Sequence, residues 1–354
     1  MTSPVLHVRG SVLVGPAEVR PEIWVVGGRI TYDAPSSRAD VQTVRGWVLP
    51  GLVDAHGAVG EATAEGQALV DRAAGALLLR DAGSPADTRW IDDRPDLPRL
   101  VRAGRHIART RRYIRNYAHE IEPEDLATYV RREARAGDGW VKLVGDWIDR
   151  DTGDLRPCWP REALTTAIAA AHDEGARVTA HCFAEESLRD FAAAGVDCIE
   201  HATGLEADTI DSFAAQGIAI VPTLVNIGTF PSIAAAAQEK YPTYAAHLLD
   251  LHSRRYATVA SAHEAGVPIY LGTDAGGSLP HGLVAREAAE LARAGLSTIE
   301  ALTAACWGAR SWLRRPGLQE GASADLVIYQ ADPREDVTVL AAPEHIVMRG
   351  TVVR

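Results

Sequence analysis

Short apolar runs recur along the chain, each closing on a glycine or a polar residue. Eight stand out: LPGLVDAH (49–56), GALLLRDAG (75–83), LPRLVRAG (97–104), WVKLVGD (140–146), RVTAHC (177–182), CIEHAT (198–203), AIVPTLV (219–225) and PIYLGTDAG (268–276). None alternates apolar with polar, so each reads as a strand buried on both faces. Between them lie stretches rich in Ala, Leu, Glu and Arg, such as PEDLATYVRREARAG and PREALTTAIAAAHDEG. One later helix is announced by Ser297-Thr298-Ile299-Glu300, a capping box in which hydroxyl and carboxylate serve the first turn. Strands alternating with helices predict βαβ units on a parallel sheet. Eight such units predict an α/β chain folded as a (β/α)8 TIM barrel, although periodicity alone also admits an open doubly wound sheet.

The two ends follow another pattern. VLHVRGSVLVG and EIWVVGGRITYDA read as strand-turn-strand with Gly-Gly at the turn, and ADLVIYQADP and HIVMRGTVVR read alike. The expectation is that both ends pair into one small β-sandwich: residues 1–50 as its first part, 51–316 as the barrel, 317–354 as its second part. The chain shows no internal repeat and no low-complexity linker.

Polar residues then mark one end of the barrel. Strand one closes on Asp54 and His56, strand two on Arg80 and Asp81, strand four carries Lys142, strand five His181, strand six His201 and strand eight Asp274. The C-terminal strand ends of a (β/α)8 barrel converge at one mouth, where active sites lie. A single histidine ending a strand is ordinarily a core residue. Five ligand-type side chains at His56, Lys142, His181, His201 and Asp274 are harder to assign to packing, and imidazole with carboxylate suits Zn²⁺ or another divalent transition metal.

Composition narrows the partners. With 354 residues, 47% of them hydrophobic, the chain has ample material for a core, and its formal net charge of −11 argues against nucleic acid and anionic membranes. An arginine-rich stretch from Arg102 to Arg115 is a local exception that reads as a solvated face. No signal peptide and no run long enough to span a bilayer are expected. Four cysteines without C-x-x-C spacing suit a reducing cytoplasm. A small-molecule substrate is the expected partner, and self-association is left open.

The motifs LPGLVDAH, LLLRDAG, WVKLVGDW, VTAHC, CIEHATG, VPTLV, LGTDAGGSLPHG, ALTAACWGAR and GLQEGASADLVIYQADPRED run in order from about residue 45 to the end. In these the chain resembles the amidohydrolase superfamily, in its imidazolonepropionase-like and prolidase-like branch. The resemblance implies a (β/α)8 barrel with a β-sandwich made from both ends. It implies that His56 is the first histidine of a strand-one pair, that Lys142 is a lysine often carboxylated to bridge two metals, and that His181 and His201 are ligands. It further implies that Asp274 binds metal or takes the proton of the attacking water, and that His281 lies near substrate.

One position departs from the pattern. Where the second histidine of the strand-one pair is expected stands Ala58, whose methyl cannot ligate. The family layout then implies one tightly held ion per chain on the side of His181 and His201, with carboxylated Lys142 as third ligand and His56 weak or indirect. A second departure follows strand three: relatives carry a Gly-Gly-His that polarises the scissile carbonyl, and here His106, Arg112, Tyr113 or His119 stand as substitutes. Arg112 could hold a carboxylate with two hydrogen bonds. Trp147, Thr223, Asn226 and His281 are the expected pocket residues.

Three functions compete. The first is hydrolysis of a C–N bond in an amide, cyclic amide or amino-acid conjugate by a metal-activated water, with Asp274 as base. The second is a metal-dependent cyclase or dehydratase that forms a heterocycle with loss of water. The third is a non-catalytic small-molecule binding protein, which loss of a ligand at Ala58 would permit.

Overall fold

The computed structural model describes residues 5–36, 40–58 and 64–354.

The two chain ends meet in a seven-stranded sheet. Its order is Thr351–Val352, His345–Met348, Leu326–Tyr329, Val41–Pro50, Val5–Leu13, Val19–Val26 and Arg29–Thr31. Val5–Leu13 runs antiparallel to Val19–Val26 and parallel to Val41–Pro50, while Leu326–Tyr329 lies antiparallel to Val41–Pro50. The predicted Gly-Gly turn joins Val19–Val26 to Arg29–Thr31, with Gly27 at φ 57° and Gly28 at φ 78°, the pair of left-handed residues a tight hairpin demands. Leu6, Val8 and Val12 bury one face against Ile23, Val25, Leu326 and Ile328.

Val41–Pro50 passes through Gly51 directly into barrel strand one, Leu52–Gly57. A Cβ on Gly51 would lie 2.5 Å from the Leu77 side chain, so only glycine lets sheet and barrel join so closely. Strands two to seven of the barrel follow as Ala76–Asp81, Arg99–Arg102, Trp140–Val144, Arg177–Cys182, Cys198–His201 and Ala219–Val221. Parallel ladders join one to two to three, and four through seven. Residues 268–275 supply strand eight. They bridge to strand seven at Ile220↔Ile269 and to strand one at Gly57↔Ala275. Backbone bonds from Ala55 to Leu271 (2.8 Å) and from Asp274 to His56 (2.6 Å) close that side. Strands three and four belong to separate ladders, bridged by the residues flanking them: Asp138 N–H donates to the Arg102 carbonyl (2.8 Å), and Leu143 pairs with Ile107 in the short strand Ile107–Arg109. The fold is therefore a (β/α)8 barrel with a small β domain built from both ends.

Strands one, two, four and six are buried at every residue, as expected of strands covered on both faces. Inside the barrel, Val53, Leu78, Val101, Trp140 and Val221 pack together, and Trp312 stacks edge-on to Trp140 from below. The capping box forms as predicted: Ser297 Oγ accepts from Glu300 N–H at the start of helix Thr298–Ala305, and Glu300 accepts from Ser297 N–H (2.7 Å).

Strand seven departs from expectation. It ends at Val221, and Leu224–Ile227 begins a short helix where the apolar run suggested more strand. The reason is Glu287, a fully buried carboxyl that accepts the N–H groups of Leu224 (2.6 Å) and Val225 (2.8 Å) and caps that turn. The arginine stretch departs in part, since Arg111 and Arg115 are exposed as expected. Arg102, by contrast, is buried between Asp92, Asp138 and Thr88, and Arg105 is partly buried and donates to the carbonyls of Asn116 and Tyr117. Among the described residues no helix is long and apolar enough to cross a membrane.

Candidate active site at the barrel mouth

His56, His201 and Asp274 end strands one, six and eight, and their ligand atoms all lie within 4.8 Å of one another. His56 Nε2 is 2.8 Å from Asp274 Oδ1. The other Asp274 oxygen accepts from Asn226 Nδ2 at 2.7 Å. His201 Nδ1 is 2.7 Å from the hydroxyl of Thr223. A proton on Nδ1 shared with that hydroxyl leaves the Nε2 lone pair free for a ligand. Burial lowers the pKa of His56, and pushes His181 and His201 well below the usual imidazole range, so all three rings are neutral donors. Burial alone would raise Asp274, but the adjoining His56 brings it below the ordinary carboxylate value, and its side chain keeps 36% of its surface open at the mouth.

The backbone here is bent out of common conformations. His201 (φ 69°), Ala202 (φ 52°), Thr223 (φ 48°) and Asp274 (φ 59°) all adopt left-handed φ at the ends of strands six, seven and eight. Non-glycine residues pay for that geometry only where surrounding contacts hold it, and such residues gather at functional sites.

Lys142 and His181 stand beside this trio. The His181 ring lies 4.7 Å from that of His201, and its Nε2 is buried without a hydrogen-bond partner among the described residues, 3.9 Å from Asp146. Lys142 is 1% exposed, and its amine contacts Glu200, a carboxylate that also accepts from Arg80 Nη2 (3.0 Å) and Thr179 Oγ1 (2.9 Å). Glu200 Oε1 lies 3.1 Å from His56 Nδ1 without the alignment of a hydrogen bond. Burial lowers Lys142 to about 7, with the Arg80 charge adding to the effect. The tightest donor set thus includes His56, whereas ligand loss at Ala58 suggested His181, His201 and Lys142.

Neutral imidazoles, an ionised carboxylate and the orphaned His181 nitrogen are the donor chemistry a divalent transition metal takes, so the residues fit such an ion. His56, His201 and Asp274 would hold it, with His181 adjacent.

Other expected site residues divide by what they touch. Asn226 and Thr223 hold Asp274 and His201 rather than standing free as pocket lining. Tyr113 stacks on His106 (5.2 Å) and meets Trp147 edge-on (4.8 Å), and Trp147 reaches His181 (5.4 Å), forming an aromatic wall beside the histidines. Arg112 is not free to clamp a substrate carboxylate. Its guanidinium holds Asp149 (2.8 Å) and the carbonyls of Trp147 and Arg156, fixing the loop that carries that wall. His119 is committed to Glu133 (2.9 Å). His281 Nδ1 is bonded to Asp71 (2.7 Å), a buried acid of helix Ala64–Ala73, which raises its pKa against the effect of burial.

Three carboxylates had no role in the sequence reading. Glu200 is the partner of Lys142. Asp54 accepts from Thr273 N–H (3.0 Å) and His56 N–H (3.1 Å), tying strand one to strand eight. Asp146 accepts from Phe183 (3.0 Å) and Ala184 (2.9 Å) N–H beyond strand five. An acid inside an otherwise apolar barrel strand was the available signal for Glu200.

Comparison with known proteins gives the same picture. The model of the amidohydrolase family matches residues 133–353. An uncharacterized protein of Mycobacterium tuberculosis strain H37Rv is 54% identical, over 98% of this chain and 95% of its own length. Ochratoxinase of Aspergillus niger is 26% identical over 63% of this chain and 47% of its own. Its crystal structure superposes with a TM-score of 0.81 at 19% identity, covering 99% of this chain and 96% of that one. A Xaa-Pro dipeptidase with bound methionine superposes at 0.83 with 22% identity, covering 99% and 100%. At these identities the two structures bear on the fold alone.

Proposed function

Because the chain belongs to the amidohydrolase family, we propose that it is a metal-dependent hydrolase of C–N bonds in amides, cyclic amides or amino-acid conjugates. The observation that carries the reading is the trio His56, His201 and Asp274, gathered at the mouth with one carboxylate half open. A divalent ion held there supplies Lewis acidity, which acidifies water and polarises a carbonyl. Asp274, ionised and steadied by Asn226, accepts the proton of the attacking water and delivers it to the leaving nitrogen. Thr223 orients His201, and Tyr113 with Trp147 offers an apolar flank for the substrate. Lys142, lowered to about 7 by burial, is the expected site of carboxylation once released from Glu200. The four cysteines stand free and buried, which suits a reducing cytoplasm.

The test is elemental analysis of purified protein with a panel of N-acyl amino acids, cyclic amides and, after the Xaa-Pro dipeptidase likeness, dipeptides. About one divalent ion per chain and products whose summed mass exceeds the substrate by one water support hydrolysis; a single product lighter by one water would replace it with cyclodehydration. Asp274→Asn should cut turnover by roughly 100-fold or more, the range for loss of a general base. Full turnover in that variant would contradict the assignment.

A further inference from the structure

A cavity of about 1100 Å³ lies away from the mouth, between barrel strands two and three and the β domain. Seven arginines line it, although the chain as a whole is acidic. Two are neutralised: Arg99 by Asp325 (2.8 Å), and Arg102 by Asp92 (2.9 Å) and Asp138 (3.1 Å). The other five, Arg29, Arg310, Arg314, Arg315 and Arg349, form no ion pair among the described residues. Arg29 donates to the Gly321 carbonyl, and Arg349 to those of Pro95 and Leu97. Arg310 donates to Gly51 and Pro316 carbonyls, is 5% exposed, and its buried Nη2 has no partner at all. The fourth lining acid, Glu320, accepts from the backbone of Tyr32.

Of these five only Arg310 is buried, and an unpaired donor on a buried guanidinium is costly. Burial is the main effect disfavouring the charged forms of Arg310 and Arg349, and Arg99 adds to it while Asp325 opposes it. A ligand that brought several negative oxygens would satisfy that donor and pair with the exposed arginines around it. Guanidinium forks match phosphate oxygens two at a time, and the cavity exceeds what one phosphate fills. We propose that this cavity is a binding site for a small polyphosphate anion of up to nucleotide size, separate from the barrel mouth.

Calorimetric titration of the metal-loaded protein with inorganic pyrophosphate and with ATP, each with equimolar magnesium and about 0.15 M salt, tests it. Hydrogen exchange locates any ligand. One saturable site per chain is expected, with protection of residues 307–317. Arg314 and Arg315 are exposed, and Arg314→Ala with Arg315→Ala should weaken binding about tenfold or more, while the melting temperature without ligand stays unchanged. Equal affinity for pyrophosphate and ATP assigns recognition to phosphate; preference for ATP adds the nucleoside. Absence of saturable binding, protection confined to the mouth, or equal binding of citrate would overturn the proposal. The exchange map of the unaltered protein decides the matter even if the double variant does not fold.

Discussion

At the scale of single residues, the barrel mouth is organised by a carboxylate rather than by its histidines. Glu200 is fully buried and touches Lys142, Arg80, Thr179 and the edge of His56. Glu200→Leu would strand the buried Arg80 cation and leave Lys142 without its partner, so a loss of about 3–5 kcal/mol is expected in urea unfolding. Glu200→Gln, which keeps the hydrogen-bond acceptor, should cost less. Ala58→His places an imidazole where Ala58 N–H already bonds the carbonyl of Ala275, next to Asp274. Elemental analysis should then show the metal content rising from near one ion per chain toward two. The histidines and Asp274 were legible because each ends an apolar run. Glu200 was not, since its meaning lies in Arg80 and Lys142 on other strands. Arg112 misled for a related reason: a free guanidinium and one spent on Asp149 look the same in sequence.

At the scale of elements, the eight strands were readable because burial on both faces removes alternation, and that signal needs no neighbours. Strand seven was read too long because its end is set by Glu287, more than sixty residues later. The helix start at Ser297 is local chemistry, hence visible. Ser297→Ala should cost about 1 kcal/mol, checked as a lower midpoint in chemical denaturation. A pH effect belongs to the long helix Pro242–Glu264. Its His247 bridges Asp154 (2.9 Å) and Glu185 (3.0 Å), joining three elements. The bond to Glu185 is the main cause of a pKa raised to about 9, against the opposing effect of burial. Folding therefore favours the protonated ring. That contribution is full below pH 6.5, the unfolded value, and disappears as pH rises through about 9. Melting temperature should fall across this window by the equivalent of about 1 kcal/mol, given a partly exposed pair, and His247→Gln should flatten the fall.

At the scale of the whole molecule, one continuous segment carries the β domain into the active barrel. Val41–Pro50 leads through Gly51 to the strand that bears His56, and its outer edge is paired by Leu326–Tyr329. The two partners are separated by almost the entire barrel. During synthesis on the ribosome, the edge of Val41–Pro50 has no mate until those late residues emerge. Until then it is a bare row of amide groups of the kind that recruits other chains. The barrel's first strand must hold its register meanwhile through strand two alone, because residues 268–275 also arrive late. Assembly of the candidate site and sealing of the sheet both wait for segments that leave the ribosome after most of the barrel, and the nascent chain is most open to misassociation until they do.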